Sequence, residues 1–467
     1  MFTIRPLVLA GLCAGAALVA GPRLHAQSLA DRYRPQADSI LAAALRDSSA
    51  WNRLAELTDR FGNRLSGSDA LEHAIDWVLG EMRRDGLDNV RGEPVMVPHW
   101  VRGEESADLL EPRAMRLSML GLGGSVGTAD RGITAEVLVV STFEELTRRA
   151  GEARGKIVLF DEPYAGYGAT VRYRVGAASA AAKVGAVAAL IRSVAAYSIR
   201  SPHTGVMAYD STAPRIPAAA LAVEDAMMLH RMQDRGQHVV VKLVMHARML
   251  PDAPSRNTIG ELAGRERPQE VVILSGHLDS WDVGAGAMDD AGGVVVSWEA
   301  VRLLKRLGLV PRRTIRVIGW TNEENGTRGG DGYRDRHAAE LGDHLLAIES
   351  DGGVFKPNGF GFTGGDSARA MVRDIATLLR PLGADTIGRQ GGGTDIEPIM
   401  TRGVPGMGLG VDGSRYFWFH HSNGDTVDKL DPREMAQCVA AMAIMAYVVA
   451  DMPERLPRGP ASPSTER

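Results

Sequence analysis

Cysteine is almost missing from this chain: Cys13 and Cys438 are the only two in 467 residues. Cys13 falls in an N-terminal stretch that reads as an export signal, so a mature chain is expected to hold no internal disulfide. A chain of this length can rely on its core instead. Cys438 lies in the apolar helical run 434–450, where a buried, inert thiol is expected. Charge of one sign is lacking as well. The 53 Lys and Arg nearly balance 57 Asp and Glu, for a net charge of −4. That gives no reason to expect nucleic acid or an acidic membrane as partner. Beyond the N-terminus, no stretch reads as the roughly 20 consecutive apolar residues of a membrane span. No Gly-x-Ser-x-Gly run supplies a serine nucleophile, and no internal repeat is visible.

What is present starts with the signal itself. Arg5 gives a positive start, 7–20 is almost uninterruptedly apolar, and Leu24-His25-Ala26 ends on a small residue. Residues 1–26 are therefore expected to be removed, leaving a secreted or periplasmic chain with no membrane attachment. The rest divides by pattern. Residues 27–120 open with helical spacing, including one apolar face of Leu71, Ile75, Leu79 and Met82. A Gly/Ser/Thr-rich stretch at 121–132 marks a boundary, and short β-branched segments then alternate with helices to about residue 250. Its titratable residues show no ligand-like spacing, so 121–250 is expected to be a non-catalytic insertion. From Arg256 onward, continuous apolar strands alternate with helices. That pattern predicts an α/β fold with a largely parallel sheet covered on both faces. Residues 251–455 would then complete a domain begun at 27–120, and 456–467 would be a flexible tail.

Polar residues cluster where those strands are expected to end. His277 and Asp279 follow the strand 270–275, with Asp289 and Asp290 shortly beyond. Glu323 and Glu324 follow 314–320, Asp351 follows 345–349, and His420 and His421 follow the strand near Leu409. Ligands in such folds bind at the carboxyl ends of strands, so one sheet edge would receive them all. Histidines and carboxylates without a thiolate suit zinc, cobalt or manganese.

The segments SGHLDSWDVGAGAMDDAGGVVVSW (275–298), TNEENG, ESDGG and HHSNGDT resemble the co-catalytic di-zinc exopeptidases. That family includes bacterial leucyl aminopeptidases and glutamate carboxypeptidases. The resemblance implies a three-layer α/β/α zinc-peptidase domain, interrupted by a protease-associated domain. It implies two zinc ions per chain, another divalent ion being open as the native metal. Asp289 would bridge them, His277 and Asp351 would complete one site, and Glu324 and His421 the other. Glu323 would be the general base acting on a metal-activated bridging water, and Asp279 would hold the His277 imidazole. The bond Asp289–Asp290 would be cis. The implied reaction is hydrolysis of dipeptides or short peptides from a chain end, by a carboxypeptidase, dipeptidase or aminopeptidase action. A single-zinc glutaminyl-cyclase-like acyltransferase and a non-catalytic receptor-like relative share the fold, but all five ligand positions are kept here. A homodimer stays open. So does the part played by 416–419, as pocket wall or buried aromatic strand, and by 392–395, as substrate contact or turn. Arg415 is a candidate for a substrate carboxylate or simply an exposed side chain.

Overall fold

A computed structural model of the chain describes residues 1–3 and 28–459. The expected signal, apart from Met1–Thr3, and the end of the expected tail lie outside the described residues. Two eight-stranded sheets organise the rest. In the first, the strands Arg267–His277, Arg313–Trp320, His344–Glu349 and Gly406–Val411 run parallel through the centre. Antiparallel partners flank them: Arg248–Leu262 and Asp88–Val101 on one side, Pro357–Thr363 on the other. The sheet is mixed and largely parallel, as the continuous apolar runs predict.

Alternation along each central strand explains why both faces are covered. Val272 and Leu274 point into the larger core, with helices Gly292–Arg306 and Pro432–Asp451. Val271 and Ile273 point the other way, against Tyr333, Ile396 and Ile399. Each apolar face is withdrawn from water, the main force holding the layers together. Helix Pro432–Asp451 is long and apolar enough to cross a membrane, contrary to the expectation that no such stretch follows the N-terminus. It is instead the buried central helix, with Cys438 fully enclosed. Two charges near its start, Arg433 and Glu434, interrupt the apolar run and hide it from a simple scan.

The second sheet draws all its strands from Glu105–Glu111 through Val240–Met245. It therefore begins ahead of Gly121, where the composition changes. Met119–Gly121 pairs antiparallel with Ala218–Leu221, which ties the compositional boundary into the sheet itself. Helix Tyr167–Lys183 packs on one face and Val223–Asp234 on the other.

Candidate metal centre

The parallel strands end at one edge, and their next residues turn into a common space. His277 closes its strand and is fully buried. Glu323 and Glu324 follow Trp320, and Asp351 follows Glu349. Asp289 and Asp290 open the turn before helix Gly292–Arg306, joined by a cis bond as the resemblance implies. Gly293 lets that helix approach: a Cβ there would lie 1.9 Å from the Ser350 carbonyl oxygen.

Asp289 is central. Its Oδ1 is 3.3 Å from His277 Nε2, which also lies 3.4 Å from Asp351 Oδ1. Its Oδ2 is 3.2 Å from His421 Nε2, and that nitrogen is 3.0 Å from Glu324 Oε2. One carboxylate thus presents one oxygen to each of two His–carboxylate pairs. His277 Nε2 and Asp289 Oδ2 are nevertheless buried without a hydrogen-bond partner. Buried polar atoms in that condition are uncommon and call for an explanation. A cation held between such pairs satisfies both atoms, and the donor set of imidazole and carboxylate suits zinc.

Asp290 and His420 also crowd the centre, at ligand-like distances from Asp351 and Asp289. Asp290 is already committed, its Oδ1 accepting from Gly293 N and its Oδ2 from His277 N. His420 stacks on His421 with ring centroids 3.5 Å apart, as a wall of the centre.

Supporting contacts differ in part from expectation. His277 Nδ1 donates to the main-chain carbonyl of Asp279 at 2.9 Å, while the Asp279 carboxylate stands 3.9 Å off. That carboxylate instead accepts from the backbone N–H of Glu323 (3.1 Å) and Glu324 (3.2 Å). Asp279 therefore orients the imidazole through its backbone and the two glutamates through its side chain. Such outer contacts fix a ligand's tautomer and direction. Asp425 performs the same service for Asp289, accepting from the N–H of Ala287, Met288 and Asp289. Arg64, fully buried, spans the carbonyls of Leu278, Ala285 and Gly286 beneath the site. Neither the role of Asp425 nor that of Arg64 is visible in the sequence, because each reaches its partners across more than a hundred residues.

Electrostatics follow from burial and crowding. Burial, then the neighbouring Asp351, Glu324 and Asp289 charges, push Glu323 up to about 8. Glu324 rises to about 7, from burial first and Asp289 next. Burial and Asp351 likewise raise Glu349 to about 8. Burial alone would lower His421, but Glu324 and Asp289 outweigh it and raise the ring to about 10. So many buried like charges repel, and a divalent cation among them relieves the repulsion.

A cleft of about 470 Å³ opens onto these groups. Tyr416 and Phe417 line it from a short helix, Tyr416–Phe419, so this segment is not a strand. Thr394 of the 392–395 stretch lines it as well, whereas Arg415 does not. Arg415 lies over the Phe355 ring. Tyr167, Arg174 and Val206 of the expected non-catalytic insertion form one wall of the cleft. Sequence spacing carries no signal for this, because the contact exists only between the two folded sheets.

The model of peptidase family M28 matches residues 257–446. Carboxypeptidase Q of Mus musculus is 52% identical over 409 residues, spanning 88% of this chain and 87% of that protein. The chain belongs to peptidase family M28. Carboxypeptidase Q of Homo sapiens is 51% identical over the same length. A peptidase M28 precursor from Shewanella amazonensis superimposes with a TM-score of 0.89 at 35% identity, covering 93% of this chain and all of that one. A zinc aminopeptidase from Bacillus subtilis shares the fold at 20% identity, with a TM-score of 0.65. This M28 peptidase is a metallo-exopeptidase.

Proposed function

We propose that this M28 peptidase is a carboxypeptidase or dipeptidase that releases residues from dipeptides and short peptides, using two zinc ions per chain. The observation that carries the reading is the division of Asp289, one oxygen toward His277 and Asp351, the other toward His421 and Glu324. In this reading Asp289 would be shared by the two sites, and the flanking pairs would complete one site each. Zinc held there supplies Lewis acidity and lowers the pKa of water toward about 7. Glu323 then accepts a proton from the attacking water and returns it to the leaving amine nitrogen. Asp279 keeps His277 and both glutamates in register, and Asp425 holds the Asp289 turn. Identity to carboxypeptidase Q along most of the chain favours the carboxypeptidase direction. Residues 27–101 and 248–455 would form the peptidase proper, with a protease-associated insertion that takes its strands from Glu105 to Met245 between them. The signal-like residues 1–26 support export.

Metal analysis joined to activity tests the reading. The purified protein should hold about two zinc ions per chain, lose dipeptide hydrolysis on strong chelation and regain it with zinc. Full activity in metal-free protein would overturn the mechanism. One zinc per chain would favour a single-metal acyltransferase chemistry instead.

A further inference from the structure

Trp281 sits where the two sheets meet, and it touches the metal centre. It is 2% exposed and follows Asp279 and Ser280 in the turn after strand Arg267–His277. Its backbone N–H donates to Glu324 Oε1 at 3.1 Å. Its indole meets the His421 ring edge-on, with centroids 5.7 Å apart and planes at 60°. Together with Asp289, Glu324, His421 and Asp425 it walls a cavity of about 10 Å³. Glu324 and His421 belong to the same proposed site, so Trp281 holds one pair of ligands from outside the ligand set.

The far edge of the indole rests on the insertion. A Cβ on Gly123 would fall 1.9 Å from Cη2 and 2.2 Å from Cζ3, so only glycine admits the ring there. The Gly123 backbone is itself fixed. Its N–H donates to the Gly205 carbonyl and its carbonyl accepts from Met207 N, each at 3.0 Å. Val206, between those partners, lines the cleft. Leu65, Trp100 and Val283 meet Leu120 of the second sheet and Ala247 around the indole, in a small apolar cluster apart from the larger cores. The next residue, Asp282, accepts from both Nε and Nη2 of Arg102. Trp281 Nε1 is buried without a hydrogen-bond partner, so the ring serves here through its shape. A close-packed wedge of this kind transmits a displacement rather than absorbing it.

We infer that Trp281 is a positioning residue that couples the seating of the insertion to the metal site of His421 and Glu324, and to that site alone. The inference rests on the two-zinc reading given above. Pressure on the ring from the Gly123 side shifts the Glu324 tether and the His421 contact together. The site of His277 and Asp351 keeps a support of its own, the Asp279 carbonyl that accepts from His277 Nδ1. Coupling between two events is reciprocal. Zinc at His421 and Glu324 therefore tightens the insertion onto the peptidase, just as a well-seated insertion tightens that zinc.

The test titrates zinc into the parent, Gly123→Ala, Trp281→Phe and the double variant, with Glu324→Ala marking which site is weakened. Gly123→Ala should weaken zinc at the marked site by roughly tenfold or more, the low end for contacts that orient a ligand. The other site should keep the parent's affinity. Phe lacks the outer ring atoms that meet Gly123, so adding Trp281→Phe to Gly123→Ala should restore most of the loss. Such non-additivity is the mark of residues in contact. In the parent, zinc should also slow amide exchange at 121–125 and 203–207, and it should do so less in Trp281→Ala. If Gly123→Ala lowers the thermal midpoint but leaves both zinc affinities unchanged, the wedge is only structural and the inference falls, while the two-zinc reading stands. Equal weakening of both sites overturns it too, because the coupling is to one site. A parent that takes a single zinc per chain overturns the two-zinc reading and this inference with it.

Discussion

Glu323 and Glu324 are adjacent in the chain, yet the turn aims them at different tasks. Glu324 Oε2 lies 3.0 Å from His421 Nε2 and its Oε1 accepts from Trp281 N, so its carboxylate is held in the centre. Glu323 lines the cleft with no such tether on its carboxylate. Replacing Glu324 with Ala should therefore cost zinc as well as rate. Glu323→Gln keeps size and polarity but cannot accept a proton, and general-base catalysis is worth about 10²–10⁴-fold. Its kcat should fall by that order while zinc content stays at the parent's level. Zinc analysis beside steady-state kinetics checks both. If Glu323→Gln loses zinc and Glu324→Ala keeps it, the roles are exchanged.

The strand His344–Glu349 shows how an element is secured at both ends. Its far end delivers Asp351, and its near end is pinned by a relay. Arg316 donates to the Tyr333 hydroxyl, Tyr333 to His344 Nε2 at 2.8 Å, and His344 Nδ1 to the Glu340 carbonyl at 3.1 Å. The relay requires a neutral ring. Burial first, then the positive charges of Arg316 and His337, push His344 down to about 4. A histidine whose pKa is depressed by folding binds its proton more readily when unfolded. Stability is then complete above the ordinary value near 6.5 and is lost as pH falls toward 4. At about 1.4 kcal/mol per unit, the loss from this group approaches about 3 kcal/mol by pH 4. His344→Gln should flatten the fall in thermal midpoint between pH 6.5 and 4 relative to the parent. An unchanged slope would remove His344 as a source of acid sensitivity.

At the scale of the whole molecule, the second sheet does more than cover a cleft. Its loop 193–207 grips the ligand-bearing segment: Ala196 N donates to the Phe417 carbonyl, His203 Nδ1 to that of His420 at 2.6 Å, and Thr204 N to that of His421 at 2.9 Å. His421 has φ +59°, a left-handed conformation that a non-glycine residue keeps only when its surroundings enforce it. Contacts of this outer kind typically cost 10–100-fold in metal affinity when removed. On the proposed two-zinc reading, His203→Ala should therefore weaken the metal held by His421 by roughly tenfold or more and leave the other site unchanged. Zinc titrations matching the parent at both sites would show that the grip is dispensable.

The sequence alone determined the parallel strands, the sheet edge and the nine polar residues gathered on it. Strand-end placement follows from short-range periodicity, and runs such as 275–298 keep ligand and turn chemistry together. Only the tertiary structure decided the rest. It set the Asp279 carboxylate on the glutamate turn rather than on the imidazole, made 416–419 a helix, and sank an apolar helix into the core. It also brought Tyr167 and Arg174 to the cleft. Those outcomes depend on which surfaces meet when two sheets pack, and contacts between residues hundreds of positions apart leave no periodic trace in a single chain.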